Sequence, residues 1–278
     1  MRKWNLVIDI AKCHDCNNCF LSCKDEFCEN DFLPYSLAQP THGHRWIDIL
    51  RKERGQYPKV DVSYLPVPCM HCDDADCIKA AENEAVYKQE DGIVIIDPVK
   101  AKGQKALVDS CPYGVIWWND DLNIPQKCTL CAHLLADGWE IPRCVQSCPT
   151  GALEILHIED SELETLIDSE KLEYLHPEFG LKPRVYYQNL HLYTKCFLAG
   201  NIALKDTDEC AVGAKVTLKN GTGSLLDTTE TNNYGDFKID NLKSNSGPYM
   251  LEIDYPGYPL QERRIDLEQS LDIGTVFL

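Results

Sequence analysis

The chain has 278 residues, enough for about two domains, and its 44 acidic side chains exceed its 27 basic ones to give a formal net charge of −17. This much negative charge argues against nucleic acid or an anionic membrane as a partner. No apolar stretch approaches the roughly 20 residues needed to span a bilayer, and the first residues, MRKWNLVIDI, lack the apolar core of a signal peptide. We therefore expect a cytoplasmic chain without a membrane anchor.

Residues 1–195 are predicted to form a loop-rich domain with a few short strands. Trp4–Ile10 alternates apolar and polar positions, and Gly92–Asp97 is rich in β-branched residues, so both are predicted strands. Pro112-Tyr-Gly-Val-Ile and Pro149-Thr-Gly-Ala-Leu each follow a cysteine and predict a turn that leads into a strand. This weak internal repeat is typical of doubled ferredoxins.

Two further elements are predicted at the end of this domain. Ser161-x-x-Glu164 has the spacing of a capping box and precedes apolar residues at helical spacing, which predicts a short amphipathic helix. Residues 176–195 are predicted to form an extended arm that lies over other structure.

Twelve of the fifteen cysteines fall into four groups, all within this first domain. In chain order the groups are Cys13-x2-Cys16-x2-Cys19-x3-Cys23, Cys69-x2-Cys72-x4-Cys77, the single Cys111 before Pro112, and Cys128-x2-Cys131-x12-Cys144-x3-Cys148 before Pro149. The first group has the ligand spacing of a bacterial ferredoxin. The pattern therefore predicts electron transfer through iron–sulfur clusters.

A pairing rule divides these cysteines into complete ligand sets, because the fourth cysteine of a run in a two-cluster ferredoxin binds the other cluster. The sets are set A (Cys13, Cys16, Cys19, Cys148), set B (Cys23, Cys128, Cys131, Cys144) and set C (Cys69, Cys72, Cys77, Cys111). A fourth set would need thiols at four positions that hold Ala81, Ala101, Gln104 and Leu107. The sequence thus predicts three [4Fe–4S] clusters and one deleted site.

Two other uses of so many cysteines have to be weighed. Disulfides persist mainly in oxidising compartments, and the cysteine count is odd. Zinc sites also use Cys-x2-Cys pairs, but four cysteines within one short run and the Cys-Pro endings fit cubane clusters better. Cys28, Cys196 and Cys210 lie outside the three sets and are expected to be small buried hydrophobic residues, with Cys28 a conceivable substitute ligand.

Residues 196–278 are predicted to form a second domain, since cysteine nearly disappears and β-branched residues alternate with turn signals. Period-two patterns predict strands at Ala214–Lys219, Asp236–Asp240 and Tyr249–Asp254. The predicted fold class is therefore α+β, with a doubled ferredoxin-like domain followed by a small antiparallel β-sandwich or barrel.

The cysteine pattern, together with Cys111-Pro112-Tyr-Gly and Pro183-Arg-Val-Tyr-Tyr187, resembles the iron–sulfur subunits of the dimethyl-sulfoxide-reductase superfamily. The resemblance implies an electron-transfer subunit without catalytic residues, which pairs with a large subunit that alone carries a bis-molybdopterin-guanine-dinucleotide molybdenum centre. The second domain resembles transthyretin-like or carboxypeptidase-regulatory domains through Gly213-Ala-Lys-Val-Thr-Leu, Thr231-Asn-Asn-Tyr-Gly235-Asp-Phe-Lys-Ile and Tyr255-Pro-Gly-Tyr258.

The deleted fourth set is a departure from that family, in which this cluster lies at the far end of the series and faces a membrane quinone-reactive subunit. Three clusters, a missing fourth and an added β-domain together resemble the small subunit of a soluble molybdenum hydroxyltransferase, and this resemblance implies that the clusters set the oxidation state of the metal. A reductase or dehydrogenase with a soluble electron carrier and a stand-alone polyferredoxin remain alternatives. Four basic residues lie next to ligand cysteines in the sequence: Lys12, Lys24, Lys127 and Arg143. Their positive charge would favour the reduced form of the clusters. The plainer interpretation is that these side chains belong to a solvent-exposed face.

Overall fold

The computed structural model describes all 278 residues and divides into two compact units. Unit 1 comprises Met1–Leu50 and Tyr64–Leu190, and unit 2 comprises Arg51–Ser63 and His191–Leu278. None of the helices combines the length and the apolar character that crossing a membrane requires.

Unit 1 is organised around a three-stranded sheet. Its central strand β1 (Lys3–Asp9) pairs antiparallel with β8 (Leu153–Ile158) and parallel with β9 (Val185–Gln188). The predicted strand at Trp4–Ile10 is thereby confirmed. The segment predicted as an extended arm contributes β9, which is buried and completes this sheet rather than lying loosely over it.

A helix covers one face of this sheet. Helix α5 (Asp160–Glu170) places Leu163 against Val7 and Tyr186, so the apolar stripe of the helix is buried as its spacing predicts. The capping box was predicted at Ser161 and Glu164 and that position is wrong. The carboxylate of Glu162 accepts a hydrogen bond from the Glu159 N–H at 3.2 Å, because the helix begins two residues earlier.

Two small hairpins and four short helices in unit 1 carry the cysteine loops. The hairpins pair β4 (Val86–Lys88) with β5 (Val94–Ile96) and β6 (Trp117–Asn119) with β7 (Ile124–Gln126). Strands β5, β6 and β8 confirm the predicted strand at 92–97 and the two predicted turn-to-strand repeats. The helices are α1 (Asn18–Phe27), α2 (Asp76–Ala80), α3 (Ala132–Ala136) and α4 (Arg143–Gln146).

Unit 2 has two sheets around one apolar core. The first has the order β13 (Asp236–Leu242), β10 (Cys196–Ala203), β16 (Leu271–Phe277), and the second β12 (Leu225–Glu230), β11 (Lys215–Lys219), β14 (Ser246–Asp254), β15 (Gln261–Leu267). The three predicted strands are confirmed, whereas the purely antiparallel topology is corrected because β10 and β16 are parallel. A short helix, α6 (His191–Thr194), precedes the first strand.

A hairpin from the first half of the sequence also contributes to unit 2. Strands β2 (Ile47–Gln56) and β3 (Lys59–Pro68) pair, and the tip of their hairpin, 51–63, belongs to this unit. Gly55 has a φ of +85°, and a Cβ there would lie 2.6 Å from Phe197, so glycine permits the close approach. Arg54, only 4% exposed, donates two hydrogen bonds to the carboxylate of Asp240, at 2.8 and 3.1 Å.

Candidate cluster-binding site

Set A joins three cysteines of the loop before and at the start of α1 with Cys148, which follows α4. Burial raises the pKa of the Cys13 thiol, and nearby thiolates at Cys148 and Cys16 raise it further. Burial also raises the pKa of Cys19 to about 12, with repulsion from Cys13, Cys16 and Cys148 added. The structure therefore brings these four sulfurs into one space, with Cys16 exposed and Cys13 and Cys148 half-buried.

Set B lies deeper, and all four of its cysteines are buried. Burial raises the pKa of Cys23 well above its ordinary value, and the charges of Cys128 and Cys131 raise it further. Burial has the same effect on the Cys144 thiol, followed by repulsion from Cys131, Cys128 and Cys23. The fourth cysteine of the first run therefore lies with the first three of the last run.

Set C lines a cavity. The cavity wall contains all four of its cysteines and is otherwise mostly apolar, including Val94, Ile116 and Leu181. Burial raises the pKa of the Cys72 thiol, and repulsion from Cys69, Cys111 and Cys77 adds to this increase. Four thiols in one apolar cavity cannot all ionise without cations beside them, and iron supplies such cations when a cluster binds.

The cysteine loops also supply hydrogen bonds to sulfur. The His71 N–H donates to Cys69 Sγ at 3.5 Å, and the Leu130 N–H donates to Cys128 Sγ at 3.3 Å. Both donors have positive φ angles, 45° and 53°, which non-glycine residues rarely adopt. Because N–H groups aimed at sulfur favour the thiolate form, these loops fit ligands that stay ionised on iron.

Four thiols are the donor number of both a structural zinc site and a [4Fe–4S] cluster. No group of three or more histidine, cysteine or acidic side chains is arranged to hold a single metal ion. A tetrahedral zinc draws four sulfurs onto one ion, whereas a cubane distributes four sulfurs over four irons. All fifteen cysteines are free.

The three sets form a series. The thiolate of Cys19 in set A contributes to the raised pKa of Cys144 in set B, after larger effects from burial and from the cysteines of set B. The thiolate of Cys69 in set C contributes to the raised pKa of Cys128 in set B, again after burial. The order is therefore A, B, C, with the exposed Cys16 at one end.

Protein atoms fill the position of the deleted fourth set. Ala101 and Leu107 are 0% and 1% exposed, so the space is packed with apolar side chains. Gln104 accepts a hydrogen bond from the Glu82 N–H at 3.0 Å and donates to the carbonyls of Glu82 (3.2 Å) and Lys100 (2.9 Å). Its amide thus joins the segments that contain Ala81 and Ala101, which a cluster would otherwise connect.

The three cysteines outside the sets differ from one another. Cys196 is buried in the core of unit 2, as expected. The same prediction is wrong for Cys210, which is exposed. Cys28 is half-buried and donates to the Pro40 carbonyl at 3.7 Å. Its charge is not among the main causes of the pKa shifts of ten ligand thiols.

Two protein-family models match the chain. Residues 60–158 match a 4Fe-4S dicluster domain, and residues 198–276 match a carboxypeptidase regulatory-like domain. The iron–sulfur subunit of the arsenate respiratory reductase of Shewanella sp. strain ANA-3 is 30% identical over 232 residues (66% of this chain, 94% of the relative). A tetrathionate reductase subunit of Salmonella typhimurium is 31% identical over 192 residues (68% and 73%). The chain belongs to the iron–sulfur electron-transfer subunits of the dimethyl-sulfoxide-reductase superfamily, and it carries [4Fe–4S] clusters.

One relative extends over the whole molecule. The pyrogallol hydroxytransferase small subunit of Pelobacter acidigallici is 46% identical over 281 residues, covering 100% of each chain. This similarity includes the carboxypeptidase regulatory-like domain, whereas the arsenate reductase subunit aligns with 66% of this chain.

Proposed function

We propose that the chain binds three [4Fe–4S] clusters, one in each of sets A, B and C. The observation that supports this is the grouping of sulfurs by their mutual effects on pKa, which follows the crossed pairing. The clusters would supply one-electron carriers. The protein would bind them through thiolates, donate N–H groups to sulfur and exclude water from set B, whose four cysteines are buried.

We further propose domain boundaries at residues 1–195 and 196–278, with a doubled ferredoxin-like arrangement in the first. The repeated turn and strand after Cys111 and Cys148 support the doubling. The hairpin tip 51–63 belongs to the second unit, so this domain would depend on a segment inserted in the first. A reducing, cytoplasmic location is proposed because the ligand thiols have to remain reduced.

The proposed partner is a large molybdopterin-containing catalytic subunit, as in the relatives. Set A is the proposed point of electron exchange with it, because Cys16 is exposed while all four sulfurs of set B are buried. Tunnelling needs short distances between carriers, so the terminal carrier has to lie near the surface that the partner covers. The proposal assigns catalysis to the partner and no catalytic residue to this chain.

The proposed reaction of the complex is hydroxyl transfer between trihydroxybenzenes, as in pyrogallol hydroxytransferase. The full-length similarity to the small subunit of that enzyme carries this proposal. The filled fourth site is in agreement, since hydroxyl transfer has no net redox change and needs no continuous outflow of electrons. The clusters would then set or restore the oxidation state of the molybdenum.

A second candidate is an electron-transfer subunit of a molybdenum reductase or dehydrogenase. The similarity to arsenate and tetrathionate reductase subunits favours it. In that case electrons would have to leave through the set C end of the series to a soluble carrier.

One assay separates the two candidates. The native complex is purified without oxygen and reduced once. It is then given pyrogallol, with no external electron donor or electron acceptor present. Many turnovers, at a rate unchanged when an artificial electron acceptor is added, are expected for a hydroxyltransferase. Arrest after about one turnover, relieved by an acceptor or donor, would instead identify a reductase or dehydrogenase.

A further inference from the structure

One buried lysine lies beside two of the ligand sets. Lys127 is 3% exposed, and its side-chain nitrogen donates hydrogen bonds to the main-chain carbonyls of Val94 and Cys128. No carboxylate lies within ion-pair distance of it. Carbonyl groups satisfy the N–H donors of an ammonium group, but they do not neutralise its charge.

The neighbouring thiolates provide the missing negative charge. Lys127 lines the cavity of set C, and its ammonium lowers the pKa of Cys77 and Cys111 against the larger effect of burial. It acts in the same direction on Cys128 of set B, again against burial. One cation therefore faces thiolates of two different sets.

The other basic residues next to ligands are placed differently. Lys12 is exposed and lies 3.3 Å from the carboxylate of Asp9, and Arg143 pairs with Glu26 at 3.0 Å. Lys24 is half-buried and donates to the Pro40 carbonyl at 2.6 Å. Solvent or a carboxylate therefore screens these charges, whereas the low dielectric around Lys127 strengthens its field.

We propose that Lys127 is a positioning residue for electron transfer, whose fixed charge raises the reduction potentials of the two clusters at sets B and C together. This rests on the proposed three clusters. Each cluster with four thiolates changes its net charge from about −2 to about −3 when it takes one electron from its neighbour in the series, and no proton needs to move. A buried cation between the two stabilises the added electron on either one and reduces their mutual repulsion.

The test is a redox titration of the full complex followed by electron paramagnetic resonance. Lys127→Gln keeps an N–H donor for the two carbonyls but removes the charge. For the clusters at sets B and C, the equilibrium constant for reduction is expected to fall at least tenfold. For a one-electron couple this is a fall of about 59 mV in the reduction potential. The third cluster, at set A, should keep its potential. Lys12→Gln, the exposed control, should leave all three potentials unchanged.

The charge-conserving variant separates charge from shape. Lys127→Arg should retain potentials close to wild type. Lys127→Gln could lose clusters instead of shifting their reduction potentials. In that case, loss of only two clusters, which Lys127→Arg retains, supports the inference. Equal loss of clusters in both variants overturns it. Unchanged potentials in a fully loaded Lys127→Gln complex also overturn it. Failure of the underlying proposal would be seen separately, as fewer than three clusters in the wild-type complex.

Discussion

The filled fourth site gives a quantitative prediction. Gln104→Ala removes three hydrogen bonds that join the segments around Glu82 and Lys100. Each such bond contributes a net ~0.5–1.5 kcal/mol, and water can reach this half-buried position, so we expect a loss of about 1–2 kcal/mol in the free energy of unfolding. This corresponds to a fall in Tm of roughly 2–8 °C for a unit of this size.

Gln104→Glu sharpens this test. The carboxylate could still accept from the Glu82 N–H, but it has no donor for the two carbonyls and would place negative charge beside them. We expect it to destabilise the protein more than Gln104→Ala does. The assay is anaerobic calorimetry of fully iron-loaded protein at one scan rate, with Lys102→Ala as a control because Lys102 is exposed in the same loop. Equal Tm values for Gln104→Ala and wild type would refute the idea that this amide replaces a cluster as a connection.

Three further predictions concern single side chains. Cys111→Ala should reduce iron from about 12 to about 8 atoms per chain, with two cluster signals retained, because it removes one ligand of set C only; an unchanged iron content would contradict the assignment. Cys28→Ser should leave iron content and all cluster signals unchanged, and loss of a cluster would make Cys28 a ligand. Arg54→Met should lower the free energy of unfolding of unit 2 by about 2 kcal/mol in calorimetry without loss of iron, because Asp240 keeps only its second ion-pair partner, Lys238. An unchanged unfolding transition would show that the Arg54–Asp240 ion pair does not stabilise unit 2.

The candidate site rests mainly on the cysteine spacing. Ligand spacing in cluster proteins is set by the chemistry of the metal site, so the pairing rule alone sorts distant residues such as Cys19 and Cys148 into one set. The strands in unit 2 followed from period-two patterns, which arise wherever one face of a sheet is buried.

Other features depend on contacts that the sequence does not encode locally. The β2–β3 hairpin was not predicted, since its tip is stabilised by Arg54 and Phe197 contacts with residues far along the chain. Lys127 resembles Lys12 and Lys24 in sequence, and only its burial distinguishes it from both. Gln104 was recognisable as an absent ligand, but its three hydrogen bonds depend on tertiary structure.

The most direct test of the central claim is the iron and acid-labile sulfide content of the native complex, purified without oxygen, per copy of this chain and after subtraction of any iron on the partner. The account predicts about 12 irons and about 12 sulfides, as three clusters of four. About eight or about sixteen irons, or zinc in place of iron, would contradict it.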